Sequence, residues 1–199
     1  MRYAYIFDLD GVLFDTMGAQ FECYAHALAE VNVPVDRDQF LRQAGMTGQE
    51  QIRYFAEKAG IIVDPDLVYA RKQELYKDLR ERASAIECNL GLFRALRSAG
   101  IPVAVASGSA KSSWLPLLAR YGLEVDAAVG PEDVDRGKPS PDLFLCAAEK
   151  LGVSPERCVV IEDSEAGIEA AGAAGMKALR FYNTLRLYEP AAPPPHASL

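Results

Sequence analysis

The chain lacks a C-x-x-C pair, a basic stripe and any apolar run approaching the length of a membrane span. Each absence excludes something. Without paired spacing, Cys23, Cys88, Cys146 and Cys158 read as reduced thiols acting as small core hydrophobes. Acids outnumber bases, 28 Asp and Glu against 21 Lys and Arg, for a net charge of −7. That balance leaves no footprint for nucleic acid, which needs clustered cations. It also repels small anions, so an anionic ligand needs local positive charge and a metal. The N-terminus shows no charged leader followed by an apolar run and a small-residue cleavage site. The expectation is a cytoplasmic protein with no membrane partner. No internal repeat is found. Oligomeric state is not given by the sequence, and a monomer is the default expectation.

What is present begins with Ile6-Phe7-Asp8-Leu9-Asp10-Gly11-Val12-Leu13. Tyr3 to Phe7 is apolar and aromatic and predicts a buried strand. Two carboxylates follow at its C-terminal end. A spacing of two places Asp8 and Asp10 on one side of extended chain. Gly11 then lets the backbone turn away and approach a ligand. In open α/β sheets, ligands bind beyond the carboxyl ends of the strands. Two acids crowded there repel unless a cation lies between them or one keeps a proton. Mg²⁺, a hard ion that takes carboxylate oxygens, fits that requirement.

From Met17 to about Ala85 no strand pattern is found. Phe21, Tyr24, Ala25, Leu28 and Val31 follow helical spacing. A second helix is expected near Arg37 and a third behind Thr47 as cap. A fourth is expected after Asp64-Pro65, burying Leu67, Ala70, Leu75 and Leu79. Past Glu87, strands and helices alternate: Ile101–Ala106, Val125–Val129, Cys158–Ile161 and Met176–Phe181 read as strands. This pattern predicts an α/β fold, a Rossmann-like parallel sheet core with an inserted all-helical cap. The expected division is 1–15 and 87–185 for the core, 16–86 for the helical cap and 186–199 for a flexible, proline-rich tail.

Three later strand ends or loops also carry polar groups: Ser107 with Gly108, Lys138, and Glu162 with Asp163. Strands of a parallel sheet point the same way, so these can converge with Asp8 and Asp10 at one edge. Together they offer an acid pair, hydroxyl and backbone N–H donors for anionic oxygens, and one fixed positive charge. That is equipment for phosphoryl transfer, where positioning and charge neutralisation dominate. Each group alone has an ordinary reading too. Ser107-Gly108 could be a strand-to-helix turn, Lys138 a surface lysine, and Glu162-Asp163 helix-capping acids. Lys72 and Lys77, on the fourth helix, could face a substrate, but read first as a solvated face.

Four motifs carry a resemblance: Asp8-Leu9-Asp10-Gly11-Val12; Ala106-Ser107-Gly108-Ser109; Gly137-Lys138-Pro139-Ser140-Pro141; and Ile161-Glu162-Asp163-Ser164 through Gly175-Met176. In this order and spacing the chain resembles the haloacid dehalogenase-like hydrolase superfamily. The helical insert resembles the cap of its β-phosphoglucomutase-like phosphatase branch. The resemblance implies Asp8 as nucleophile, forming an aspartyl-phosphate, and Asp10 as general acid and then base. It implies Mg²⁺ held by Asp8, Asp163 and the Asp10 carbonyl, with Glu162 behind metal-bound water. Ser107, Gly108 and Lys138 would hold the phosphoryl group.

Dehalogenases lack the second acid, so Asp10 argues against that activity. Mutases of the nearest branch carry a histidine where this chain has Gln20, and an arginine near Gly48-Gln49. The expectation is therefore an Mg²⁺-dependent phosphatase of a small phosphorylated metabolite, with a sugar phosphate first. A sugar phosphomutase is the alternative enzyme. A non-catalytic phosphate-binding regulatory protein is the alternative of another class.

Overall fold

The structure, a computed structural model, describes residues 3–79 and 83–181; the tail expected at 186–199 lies outside them. Five strands form one parallel sheet: β1 (Ala4–Phe7), β4 (Val103–Ala106), β5 (Ala127–Val129), β6 (Cys158–Glu162) and β7 (Lys177–Arg180). The order is β5-β4-β1-β6-β7, so β1 is central. It pairs Tyr5 with Val103 on one side and Phe7 with Ile161 on the other. The chain proceeds outward from β4 to β5 one way and from β6 to β7 the other. The crevice beyond β1 is thus a topological switch point.

Period-two alternation sorts the strand residues onto two faces. Ile6, Ala104, Ala106 and Val160 meet Leu143, Phe144 and Ala147 of α7 (Asp142–Leu151) and Ala170 and Ala171 of α8 (Glu165–Ala173). Phe7, Val103, Val105 and Ile161 meet Leu90 and Phe93 of α5 (Glu87–Ser98) and Trp114 and Leu117 of α6 (Lys111–Arg120). Strands covered on both faces must be apolar throughout, as β4 is with Val-Ala-Val-Ala. Each large apolar side chain so buried contributes on the order of 1.5–3 kcal/mol.

Between β1 and β4 the chain inserts α1 (Met17–Ala29), α2 (Arg37–Arg42), α3 (Gly48–Ala59) and α4 (Pro65–Leu79). These helices have a core of their own around Tyr24, Leu28, Phe40, Ile52, Phe55 and Val68. Thr47 caps α3 in a capping box with Glu50, as its sequence position suggests. The insert is rooted by a two-residue antiparallel ribbon, β2 (Phe14–Asp15) with β3 (Ser84–Ala85). Pairs this short have no periodicity to detect, and the sequence reading placed no strand there. Among the described residues no helix is long and apolar enough to cross a membrane.

One expectation about α4 is corrected. Leu67 is 69% exposed and Ala70 is exposed, while Val68, Tyr69, Lys72 and Tyr76 are buried. The helix is rotated from the face its aliphatic residues suggest. Three tyrosine rings surround the Lys72 ammonium: Tyr24 at 4.8 Å, Tyr76 at 4.7 Å and Tyr69 at 5.7 Å. Attraction between ring faces and a cation lets a lysine take an inward position. Lys72 is 1% exposed and does not lie on a solvated face.

Candidate active site

Asp8 leaves the end of β1, and its N–H donates to the Ile161 carbonyl at 3.0 Å. The Lys138 ammonium donates to Asp8 Oδ1 at 2.5 Å, to Glu162 Oε2 at 2.7 Å and to the Ala106 carbonyl at 3.4 Å. Lys138 is 1% exposed, so it is not a surface lysine. Burial opposes its charge, but Asp8 and Glu162 outweigh burial and hold the ammonium above the ordinary lysine value. Burial pushes the Asp8 carboxyl well up, against the pull of Lys138. Glu162 is held below the usual carboxylate range: Lys138 and the Ser164 donors outweigh burial there.

Glu162 has both oxygens engaged. Oε2 takes Lys138, and Oε1 accepts from Asp163 N, Ser164 N and Ser164 Oγ at 2.8–3.0 Å. Glu162 therefore also anchors the start of α8, whose cap is Ser164. Asp8, Glu162 and Asp163 can each offer an oxygen within 4.8 Å of the others. Burial first, then Glu162, raises Asp163 to about 7. Gly11 makes this close approach possible. It has φ +88°, and a Cβ there would fall 2.2 Å from Asp163 Oδ2.

The Asp10 carboxylate is not in that acid cluster. It turns toward the helical insert and accepts from four side chains. Thr16 Oγ1 and Gln20 Nε2 (3.2 Å) reach Oδ1; Ser109 Oγ (2.7 Å) and Ser107 Oγ (3.3 Å) reach Oδ2. Ser107 and Gly108 follow β4 directly. Trp114 Nε1 steadies their loop by donating to the Ser109 carbonyl at 2.8 Å. A Cβ on Gly108 would lie 2.7 Å from the Met46 carbonyl, so the insert's loop rests on this turn. Asp8, Asp10, Ser107, Gly108, Glu162 and Asp163 line one cavity of about 40 Å³. Lys138 meets it through Asp8 and Glu162.

Several residues of this region were not singled out in the sequence. Thr16 and Ser109 bind Asp10; Ser109 closes one of the quoted motifs, but the sequence assigns neither residue a role. Gln51 is buried and lines the cavity from α3. Asn89 is buried and donates to the Val12 carbonyl at 2.8 Å. That bond ties α5 to the loop carrying Gly11. Only long-range contact reveals these roles, and no local pattern announces them.

A central parallel sheet with acids, a buried ammonium and hydroxyl donors gathered beyond its strand ends defines an α/β enzyme of the phosphoric monoester hydrolase class. The family model for haloacid dehalogenase-like hydrolases matches residues 5–181. β-Phosphoglucomutase of Bacillus subtilis (strain 168) is 35% identical over 88% of this chain and 81% of its own length. Fructose-1-phosphate phosphatase YqaB of Escherichia coli (strain K12) is 33% identical over 89% of this chain and 96% of its own. Among solved structures, a hydrolase from Pseudomonas syringae superposes with a TM-score of 0.83 at 26% identity, covering 90% of this chain and 84% of that one. The chain belongs to the haloacid dehalogenase-like hydrolase family, in its β-phosphoglucomutase-type branch.

Proposed function

We propose that the protein is a phosphatase of small phosphorylated metabolites, with sugar phosphates the first class, and that it works through an aspartyl-phosphate. The observation that carries this is the pairing of two differently held acids. Asp8 is gripped by Lys138 beside Glu162, while Asp10, two residues on, is held apart by four donors. Simple phosphate binding has no need of that second acid.

Asp8 attacks phosphorus as the ester P–O bond breaks, and Asp10 delivers its proton to the leaving oxygen. Asp10 then takes a proton from water as the water attacks the aspartyl-phosphate, releasing inorganic phosphate. Lys138 neutralises Asp8 and the transferred group; Ser107 and the Gly108 N–H hold phosphoryl oxygens.

The all-oxygen donor set suits a hard divalent ion, and repulsion among buried acids is what such an ion relieves. Asp8, Asp163 and the Asp10 carbonyl would hold Mg²⁺, which when bound supplies charge neutralisation at the phosphoryl group. Glu162, with both oxygens engaged, stays out of direct ligation and orients its neighbours.

Residues 16–86 serve as a cap on a core of 1–15 and 87–185. With the insert resting on Gly108, the space over the acids is about 40 Å³. A substrate larger than the phosphoryl group enters as the cap swings away, and closure then excludes water.

A phosphomutase reading draws on the Bacillus subtilis relative. Against it, Gly48 leaves no room for the arginine expected of mutases: a Cβ there would lie 2.0 Å from the Tyr69 ring and 2.8 Å from the Tyr24 hydroxyl. Among the described residues no arginine lines the cavity to receive a second phosphate.

The test is a panel of phosphorylated metabolites with Mg²⁺, read as released phosphate and as isomerised product. Stoichiometric phosphate, with no isomer gained on adding a sugar bisphosphate, is expected. Interconversion with little phosphate released would establish the mutase instead.

A further inference from the structure

Gln20 is the one side chain that touches the second acid and is left half-used. It is 4% exposed and lines the cavity from α1. Its amide nitrogen donates to Asp10 Oδ1 at 3.2 Å and to Ser109 Oγ at 3.4 Å. Its carbonyl oxygen Oε1 is buried and has no hydrogen-bond partner among the described residues. The orientation is not interchangeable. Ser109 Oγ spends its proton on Asp10 Oδ2 and can only accept from Gln20, so the amide turns its nitrogen to this pair and its oxygen away.

Buried acceptors without donors are uncommon in folded proteins, and those at functional sites await a ligand group or a water. The surroundings narrow the donor. Tyr24, Met17, Phe40 and Gln51 line the same cavity. Burial pushes the Tyr24 hydroxyl well above its ordinary value, so it stays neutral. What Oε1 lacks is a donor, so the expected ligand group is a small neutral donor such as a hydroxyl, not a second anion, which could only accept.

We infer that Gln20 is a specificity-determining residue, whose Oε1 accepts a hydrogen bond from a hydroxyl on the alcohol part of the substrate. The inference rests on the phosphatase reading above. Because the same amide holds Asp10, and Asp10 serves the ester oxygen, the recognised hydroxyl lies one or two carbons from that oxygen. The substrate class is thus a β- or γ-hydroxyalkyl phosphate, which includes polyol and sugar monophosphates. An ester lacking the hydroxyl leaves Oε1 buried and unpaired, and sites built for a hydroxyl discriminate strongly against such analogues.

The experiment compares 2-hydroxyethyl phosphate with ethyl phosphate, and p-nitrophenyl phosphate as a third ester, all with Mg²⁺. Wild type should favour the hydroxylated ester by at least about tenfold in kcat/KM. In Gln20→Met both alkyl esters slow, because Asp10 loses a donor, but their ratio should fall to about one. A merely structural role would slow both and keep the ratio. Circular dichroism and the melting curve of Gln20→Met verify the fold, and Gln20→Leu repeats the measurement should Gln20→Met not fold. Equal wild-type rates for the alkyl esters, a preference that survives substitution, or turnover of p-nitrophenyl phosphate alone would overturn the inference and leave the phosphatase reading standing. No phosphate from any of the three would overturn both.

Discussion

Two lysines are buried equally, and their surroundings make them opposites. Lys138, on the sheet side, sits between Asp8 and Glu162, and those charges outweigh burial and raise its affinity for a proton. Lys72, in the helical insert, has tyrosine rings around it and no ion pair with a carboxylate among the described residues. Burial lowers its pKa to about 8, and Asp10 only partly opposes this. The comparison separates two uses of buried charge. Lys138 is compensated and belongs to the machinery around Asp8. Lys72 is uncompensated and carries a desolvation cost that aromatic faces only partly offset.

The comparison breaks most visibly through activity. Asp8→Asn should lower phosphate release by at least about 10³-fold while circular dichroism stays native, since an amide cannot accept the phosphoryl group. Removing divalent ions with a chelator should likewise stop turnover, and added Mg²⁺ should restore it. Activity that persists after exhaustive chelation would contradict the use proposed for the acid cluster.

Stability separates the lysines next. Lys138→Met strands two buried acids and should destabilise by about 3–5 kcal/mol in urea melts at pH 7. Lys72→Met removes an uncompensated charge and should stabilise by about 1–2 kcal/mol. Similar losses from both substitutions would erase the distinction.

The pH dependence sharpens it. Lys72 has a folded pKa near 8, below the value of about 10.4 for a free lysine. Between these values the unfolded chain binds the extra proton, so stability rises with pH. The penalty is full below pH 8. The gap between wild type and Lys72→Met should therefore largely close from pH 8 to pH 10. Above pH 10 stability should fall, because burial raises the Tyr24 and Tyr69 hydroxyls and unfolding releases their protons.

The smallest effect concerns Asp133, which pairs with two other lysines, Lys111 and Lys150. Burial works against its charge, but hydrogen bonds from Lys150, the Gly130 N–H and Lys111 hold it well below the usual carboxylate range. Asp133→Asn should cost about 1 kcal/mol at pH 7. That contribution is present above the ordinary carboxylate range near pH 4 and is lost as pH falls below it.

The same two regions differ in how far the sequence could be read. On the sheet side, β1, β4 and β6 are short apolar runs ending in polar residues, so Asp8, Ser107 and Asp163 stand where punctuation already places them, and Lys138 lies in the loop after β5. Parallel strands bring those ends together with no further information. The helical insert has no such rule. On α4, Leu67 looks like a core residue and Lys72 like a surface one. Packing against α1 decides otherwise, because Tyr24, Tyr69 and Tyr76 together present one aromatic face. Gln20 was visible as a departure from the mutase pattern, yet its contact with Asp10 depends on how α1 meets β1. The ribbon of Phe14 with Ala85 pairs residues far apart in sequence and too few to show a period.

The central claim is that Asp8 carries the phosphoryl group while the groups around Asp10 control its release. Acid-quenched turnover of p-nitrophenyl phosphate, followed by peptide mass analysis, tests it most directly. In Asp10→Asn, phosphorylation should still occur, because this leaving group needs no acid, and hydrolysis should stall for want of a base. One phosphoryl group on the peptide containing Asp8 is the predicted result, with none in Asp8→Asn. No adduct in Asp10→Asn despite its turnover of the ester, or an adduct on any other residue, would contradict the account.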